Sequence, residues 1–117
     1  MLQIKNNSEN KHLFIESALP KFLTAVRQKT ILKNISFEGI GLHTGNKVSM
    51  NIFPADENFG IVFRRKIGNK TVVIKADYRN VKSTKLCTLL SDSNGNSVST
   101  VEHILSALYA LEIDNVI

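Results

Sequence analysis

With a single cysteine, Cys87, the chain has no internal disulfide available to it, and nothing asks for an oxidising compartment. No apolar run approaches the ~20 residues that span a bilayer. The amino terminus also lacks the uninterrupted apolar stretch and small-residue cleavage site of a secretory signal. These absences predict a soluble cytoplasmic protein with no integral membrane segment. Repeats and low-complexity tracts are missing too, and with 43% hydrophobic and 21% charged residues the 117-residue chain reads as one ordinary globular domain. The glycines do not follow the phosphate-loop spacing, which removes a nucleotide cradle of that kind. No serine triad is readable.

The net charge of +5 is divided between residues 1–29, which carry +3, and residues 30–117, which carry +2. Arg64-Arg65-Lys66 is the one compact basic cluster. No aromatic residues interleave with it as a single-strand surface requires, so nucleic acid is not an expected partner.

Residues 1–12 are polar. Between 13 and 28, Leu13, Phe14, Ala18, Leu19, Phe22, Leu23 and Val26 fall at helical spacing, but Pro20 interrupts the pattern. Residues 1–27 are therefore expected to form an extension, flexible or loosely helical, with a membrane-surface role, supported by Lys21, Arg27 and Lys29, as the alternative. From Thr30 the period changes to two: Ile31, Lys33 and Ile35 oppose Leu32, Asn34 and Ser36, and Val48, Met50 and Ile52 alternate with polar neighbours. Between these strands lies Gly39-Ile40-Gly41-Leu42-His43-Thr44-Gly45, a loop or bulged connection. Ile61–Arg64 and Thr71–Lys75 read as a hairpin about Gly68-Asn69, Thr84–Leu90 as a further strand, and Ser91–Asn96 as a turn. A helix is expected from Ser99 to about Glu112, with Val101, Ile104, Leu105, Leu108 and Leu111 as its buried stripe. Ile113–Ile117 resembles the opening of another strand. The expected class is α+β, a mostly antiparallel sheet with a helix.

Two readings of Glu102 stand side by side. Three residues after Ser99, it has the spacing of a capping box; it is also a carboxylate at a helix start, available as a general base. His103 projects roughly opposite the apolar stripe, on a face with Ala107 and Ala110, and so is not an ordinary core histidine. In the first helical turn the dipole disfavours the imidazolium and favours the neutral ring that a metal takes. One histidine does not make a catalytic zinc site, which uses about three protein ligands. His43 is either a turn histidine bonded to backbone or a group lining a pocket. Cys87 reads as a small buried hydrophobe within a strand.

Taken together and in order, Gly39 to Gly45, Phe63-Arg64-Arg65, Leu86-Cys87-Thr88, Ser99-Thr100-Val101-Glu102-His103 with Ala107-Leu108, and Ile113-Asp114-Asn115 resemble the amino-terminal domain of the UDP-3-O-acyl-N-acetylglucosamine deacetylases, zinc-dependent enzymes of lipid A biosynthesis in Gram-negative bacteria. The resemblance runs from about Gln28 to Ile117. It implies a two-domain cytoplasmic enzyme, each domain a two-layer α+β sandwich, with the active site between them. It further implies that His103 binds Zn2+, that Glu102 is the general base on the water that attacks the acetamide, and that Leu42, His43, Leu86, Cys87 and Thr88 lie beside the nucleotide-sugar lipid substrate.

In that family the second domain brings a histidine and an aspartate to the zinc, and the general-acid histidine. Neither His12 nor His43 stands at a recognisable metal spacing from His103. The expectation is an incomplete first domain, residues 28–117, which alone neither holds catalytic zinc tightly nor turns over. It is also expected to be marginally stable, cut within a strand that leaves an unpaired edge. The competing expectation is a non-catalytic scaffold or binding module that retains this domain.

Overall fold

The computed structural model describes residues 27–117; the extension expected over 1–27, with its interrupted apolar pattern, lies almost wholly outside them. Among the described residues, seven strands and one α-helix follow in the order β1 (Ile35–Ile40), β2 (Lys47–Ile52), β3 (Val62–Ile67), β4 (Lys70–Lys75), β5 (Val81–Ser83), β6 (Leu89–Ser91), β7 (Ser97–Ser99) and α1 (Glu102–Ala110). All the strand pairs are antiparallel: β1 with β2, β3 with β4, and β5-β6-β7 as a three-stranded sheet. Mostly antiparallel strands with one helix make this an α+β fold, as the alternation of periods predicts.

Local chemistry sets each connection. In the β1–β2 turn the Gly41 N–H donates to Asn46 O at 2.8 Å, and the Gly45 N–H donates to Gly41 O at 2.8 Å. Gly45 has φ +68°, and a Cβ on Gly41 would stand 2.6 Å from Thr44 Oγ1, so both positions suit glycine. The β3–β4 hairpin turns at Gly68-Asn69, as read from the sequence, with Ile67 opposite Lys70. Between β6 and β7, Asp92 Oδ1 accepts from the N–H groups of Asn94 and Asn96, both at 2.9 Å, which builds the Asn-Gly turn around a carboxylate.

Ile74 of β4, Leu90 of β6 and Val101 form the centre of the core, with Phe63, Val72, Ala76, Val98 and Leu105 packed around them. One face of the β3–β4 hairpin thus meets the three-stranded sheet and the entrance of α1. The segment after the helix draws the distant parts together. Val116 O accepts from Val62 N–H at 3.0 Å, Ile117 exchanges two hydrogen bonds with Phe53, and Asp114 and Asn115 both donate N–H to Lys29 O. Asn115 is 3% exposed, and its side chain accepts from Gly60 N–H at 2.8 Å and donates to Gln28 Oε1 at 2.9 Å.

Three expectations need correction. The strand read from Thr30 begins only at Ile35; the chain bends at Leu32-Lys33, and Leu32 is 99% exposed. Thr84–Leu90 is not one strand: β5 ends at Ser83 and the chain turns through Leu86 at φ +68°, a conformation no strand tolerates, so Cys87 lies in a bend. The helix starts at Glu102 rather than Ser99, because Ser99 still pairs with Leu89 and Thr100 adopts φ +60°. Val116, in the segment expected to open a strand, bridges both Pro54 and Ile61.

Candidate active site

The start of α1 is where β7, the Leu86–Thr88 bend and the core converge. Ser99 ends β7, Thr100 reverses the backbone through its positive φ, and the buried Val101 anchors the helix entrance against Ile74 and Leu90. Val101 N–H donates to Thr88 O at 3.5 Å, and Thr88 N–H donates to Glu102 Oε2 at 3.0 Å. This two-way bracket ties the bend to the first helical turn. It also replaces the capping box: Ser99 makes no cap, the residue at the cap position is Val101, and no side chain caps the helix. Glu102 is free of that duty because its carboxylate reaches across to Thr88, 14 residues earlier.

The Glu102 carboxyl is held below the usual carboxylate range. Its own backbone N–H contributes most and the Thr88 N–H next; desolvation opposes them, and the charge interactions with His103 and then His43 add smaller lowering effects. Glu102 therefore feels both imidazoles although 59 positions separate it from His43, which the β1–β2 turn carries. His103 is exposed and lies off the stripe in which Val101 and Leu108 are buried, and Ala107 and Ala110 are exposed as well. His103 is thus exposed, as its position off the apolar stripe predicts.

The remaining residues singled out by sequence have mixed placements. Thr88 is half-buried and is joined to Glu102 by a hydrogen bond, while Cys87 is a half-buried free thiol beside it. Leu86 and Leu42 are 85% and 74% exposed, and no hydrogen bond links either to Glu102. Among the described residues no group of three His, Cys, Asp or Glu side chains is placed to hold a metal ion. His103 fits a zinc ligand by donor type and exposure, but it fills one place of the roughly three a catalytic zinc takes from protein. The concavity lined by Tyr109, Ala110, Glu112, Ile113 and Asp114 lies at the other end of the helix.

Sequence reasoning missed two supports. The Thr88–Glu102 bond carries no local signal, since its partners lie on different elements. Arg65 donates from its guanidinium to Ser97 O at 2.8 Å, bracing β7 ahead of the site; its place on the core-side face of β3, opposite Val72, is the signal that was available.

Comparison with known proteins gives the context of this arrangement. Residues 28–117 match the family model described as UDP-3-O-acyl N-acetylglycosamine deacetylase. Proteins named UDP-3-O-acyl-N-acetylglucosamine deacetylase are similar to the chain: that of Actinobacillus succinogenes is 45% identical over 92 residues, covering 79% of this chain and 30% of the relative. The Haemophilus influenzae protein is 44% identical over 92 residues with the same coverage, and that of Francisella tularensis is 48% identical over 94 residues, covering 79% of this chain and 33% of the relative. The chain spans about a third of the length of the curated relatives it matches. With a model match over most of its length and the motifs at the helix start in place, the chain belongs to the UDP-3-O-acyl N-acetylglycosamine deacetylase family.

Proposed function

We propose that residues 28–117 form the first, incomplete α+β domain of a two-domain deacetylase, and that they supply one half of a site that hydrolyses the acetamide of UDP-3-O-acyl-N-acetylglucosamine in lipid A biosynthesis. The enzyme would work in the cytoplasm of a Gram-negative cell; no helix among the described residues is long and apolar enough to cross a membrane. The single observation that carries the reading is the Thr88–Glu102 bond, which fixes a carboxylate at the helix start next to an exposed histidine.

His103 would hold Zn2+ together with a histidine and an aspartate from the second domain. When bound, the ion supplies Lewis acidity toward the acetamide carbonyl and the developing oxyanion. Glu102 takes the proton of the attacking water. Its lowered pKa keeps it ionised at neutral pH, and the two N–H groups aim it. The general-acid histidine of the second domain would give its proton to the leaving amine, and the proton held by Glu102 would then be released to solvent. Acetate and a free amine result. Leu42, His43, Leu86, Cys87 and Thr88 would flank the substrate, with the exposed Leu42 and Leu86 offering apolar surface to a lipid-bearing sugar.

The test is a graft of residues 28–117 into the Actinobacillus succinogenes relative, assayed by acetate release from the nucleotide sugar. The graft should be active and chelator-sensitive. Glu102→Gln should lower kcat by about 10²- to 10⁴-fold with zinc retained, whereas His103→Ala should lower zinc content, and the isolated chain should not turn over. A Glu102→Gln graft as active as its parent would remove the carboxylate from the chemistry.

A further inference from the structure

One hairpin concentrates positive charge. β3 and β4 with their turn carry Arg64, Arg65, Lys66, Lys70 and Lys75 and no acidic residue. The hairpin's +5 equals the net charge of the chain, because the +3 of residues 1–29 is offset by −3 over the rest of residues 30–117. All five cations are exposed. Among the described residues the ion pairs are Lys29–Glu112, Lys47–Glu38 and Arg79–Asp77, and none of them uses a hairpin cation.

The antiparallel register sorts these charges by face. Phe63 with Ile74 and Arg65 with Val72 share the side that packs on the core, where Arg65 is committed to Ser97 O. The opposite face presents Arg64 across from Val73 and Lys66 across from Thr71, and Lys75 lies at its base. Val73 is 54% exposed in the middle of this cationic face.

We propose that the outer face of the β3–β4 hairpin docks on the surface of an anionic lipid bilayer, with Arg64, Lys66 and Lys75 on headgroup phosphates and Val73 in the headgroup–acyl boundary. A negatively charged leaflet attracts clustered Lys and Arg. The exposed valine selects lipid over nucleic acid: it gains from apolar burial at a bilayer interface and gains nothing from a phosphate backbone. A single-stranded nucleic acid also needs stacking rings, and the hairpin's one aromatic, Phe63, is turned to the core. This docking face is independent of the deacetylase reading, because it uses no residue of the helix start.

The experiment is co-sedimentation of the 117-residue chain with vesicles of phosphatidylglycerol mixed into phosphatidylcholine, and with phosphatidylcholine alone. Binding should require the anionic lipid and weaken with salt. The triple variant Arg64→Ser, Lys66→Ser, Lys75→Ser should weaken it roughly 100-fold, at about fivefold per cation, whereas Lys33→Ser, Lys82→Ser, Lys85→Ser removes equal charge elsewhere and should cost under about tenfold. Val73→Ser, which leaves the charge intact and reports even if the triple variant misfolds, should weaken binding by about fivefold. Absence of preference for the anionic vesicles, equal losses in the two triple variants, or an oligonucleotide that displaces the vesicles while Val73→Ser binds like wild type would each overturn the proposal.

Discussion

Replacing Asn115 by alanine tests whether the segment after the helix closes the domain through a side chain as well as through its backbone. The amide is 3% exposed and makes two hydrogen bonds, accepting from Gly60 N–H at 2.8 Å and donating to Gln28 Oε1 at 2.9 Å. Truncation strands the Gly60 donor in a half-buried setting, which costs about 1–2 kcal/mol, and loses the second bond at about 1 kcal/mol more. Gln28 Oε1 is not stranded, because it still accepts from Asn58 N–H at 2.7 Å. The expected loss is about 2–3 kcal/mol, or roughly 10–20 °C in Tm for a unit of this size. Urea unfolding followed by circular dichroism measures the first quantity, and amide exchange at Gly60 locates it. Gln28→Ala is the control: it leaves Gly60 bonded but takes the acceptor from the buried Asn115 amide N–H as well as from Asn58 N–H, so it should cost about 1–2 kcal/mol while the Gly60 amide keeps its protection. If Asn115→Ala stays within about 0.5 kcal/mol of wild type while the Gly60 amide keeps its protection, the reasoning fails.

Other consequences follow from the core, the backbone and the carboxylates. Leu90→Ala opens the centre of the core beside Ile74 and Val101, and should destabilise by about 2–5 kcal/mol in the same unfolding assay. Thr100→Gly relieves about 1–2 kcal/mol of strain at φ +60° while giving back about 0.4–1 kcal/mol through the freer unfolded chain. It should leave stability equal or slightly raised, whereas a destabilisation as large as that of Leu90→Ala would show that Thr100 is not strained. Asp77 is held at about 2, against an ordinary value of 3.8, by the Arg79 side chain and then its backbone N–H. Its contribution is therefore complete above 3.8 and lost as the pH falls toward 2; carboxyl NMR should find this titration, and Arg79→Ala should return it toward 3.8. Glu102, lowered by its own N–H and that of Thr88, behaves with the same sign: its contribution is present above 4.5 and disappears in acid, and titration at or above 4.5 would contradict the bracket.

What was legible in the sequence was the part governed by near neighbours. The Gly68-Asn69 turn between alternating strands gave the β3–β4 hairpin, and the spacing of Val101, Leu105 and Leu108 gave the helix and the exposed side on which His103 sits. Ser99 and Glu102 had the right spacing for a capping box, yet strand pairing to Leu89 held Ser99 extended and a remote N–H at Thr88 took the carboxylate. The same competition broke the apolar run from Thr84 to Leu90. Its composition suits a strand, but Leu86 turns the chain so that Thr88 meets the helix start. Non-local partners thus decided the places where local preference gave the wrong element. The electrostatic reach of His43 to Glu102 belongs to this class as well.

The stitching of Lys29, Phe53 and Gly60 by residues 114–117 also imposes an order in time. Lys29 and Asp114 are 85 residues apart, a gap that a ribosome adding 5–20 residues per second covers in roughly 4–17 s. A hairpin such as β1–β2 closes in about 1–10 μs once it is free. It must then wait some million times longer for the residues that bond Phe53 and Val62, with Ile35, Phe37 and Val48 still exposed on its surface even in the closed fold. For this domain the slow step of acquiring structure in the cell is translation, and the nascent hairpins are the species that chaperones and proteases would meet.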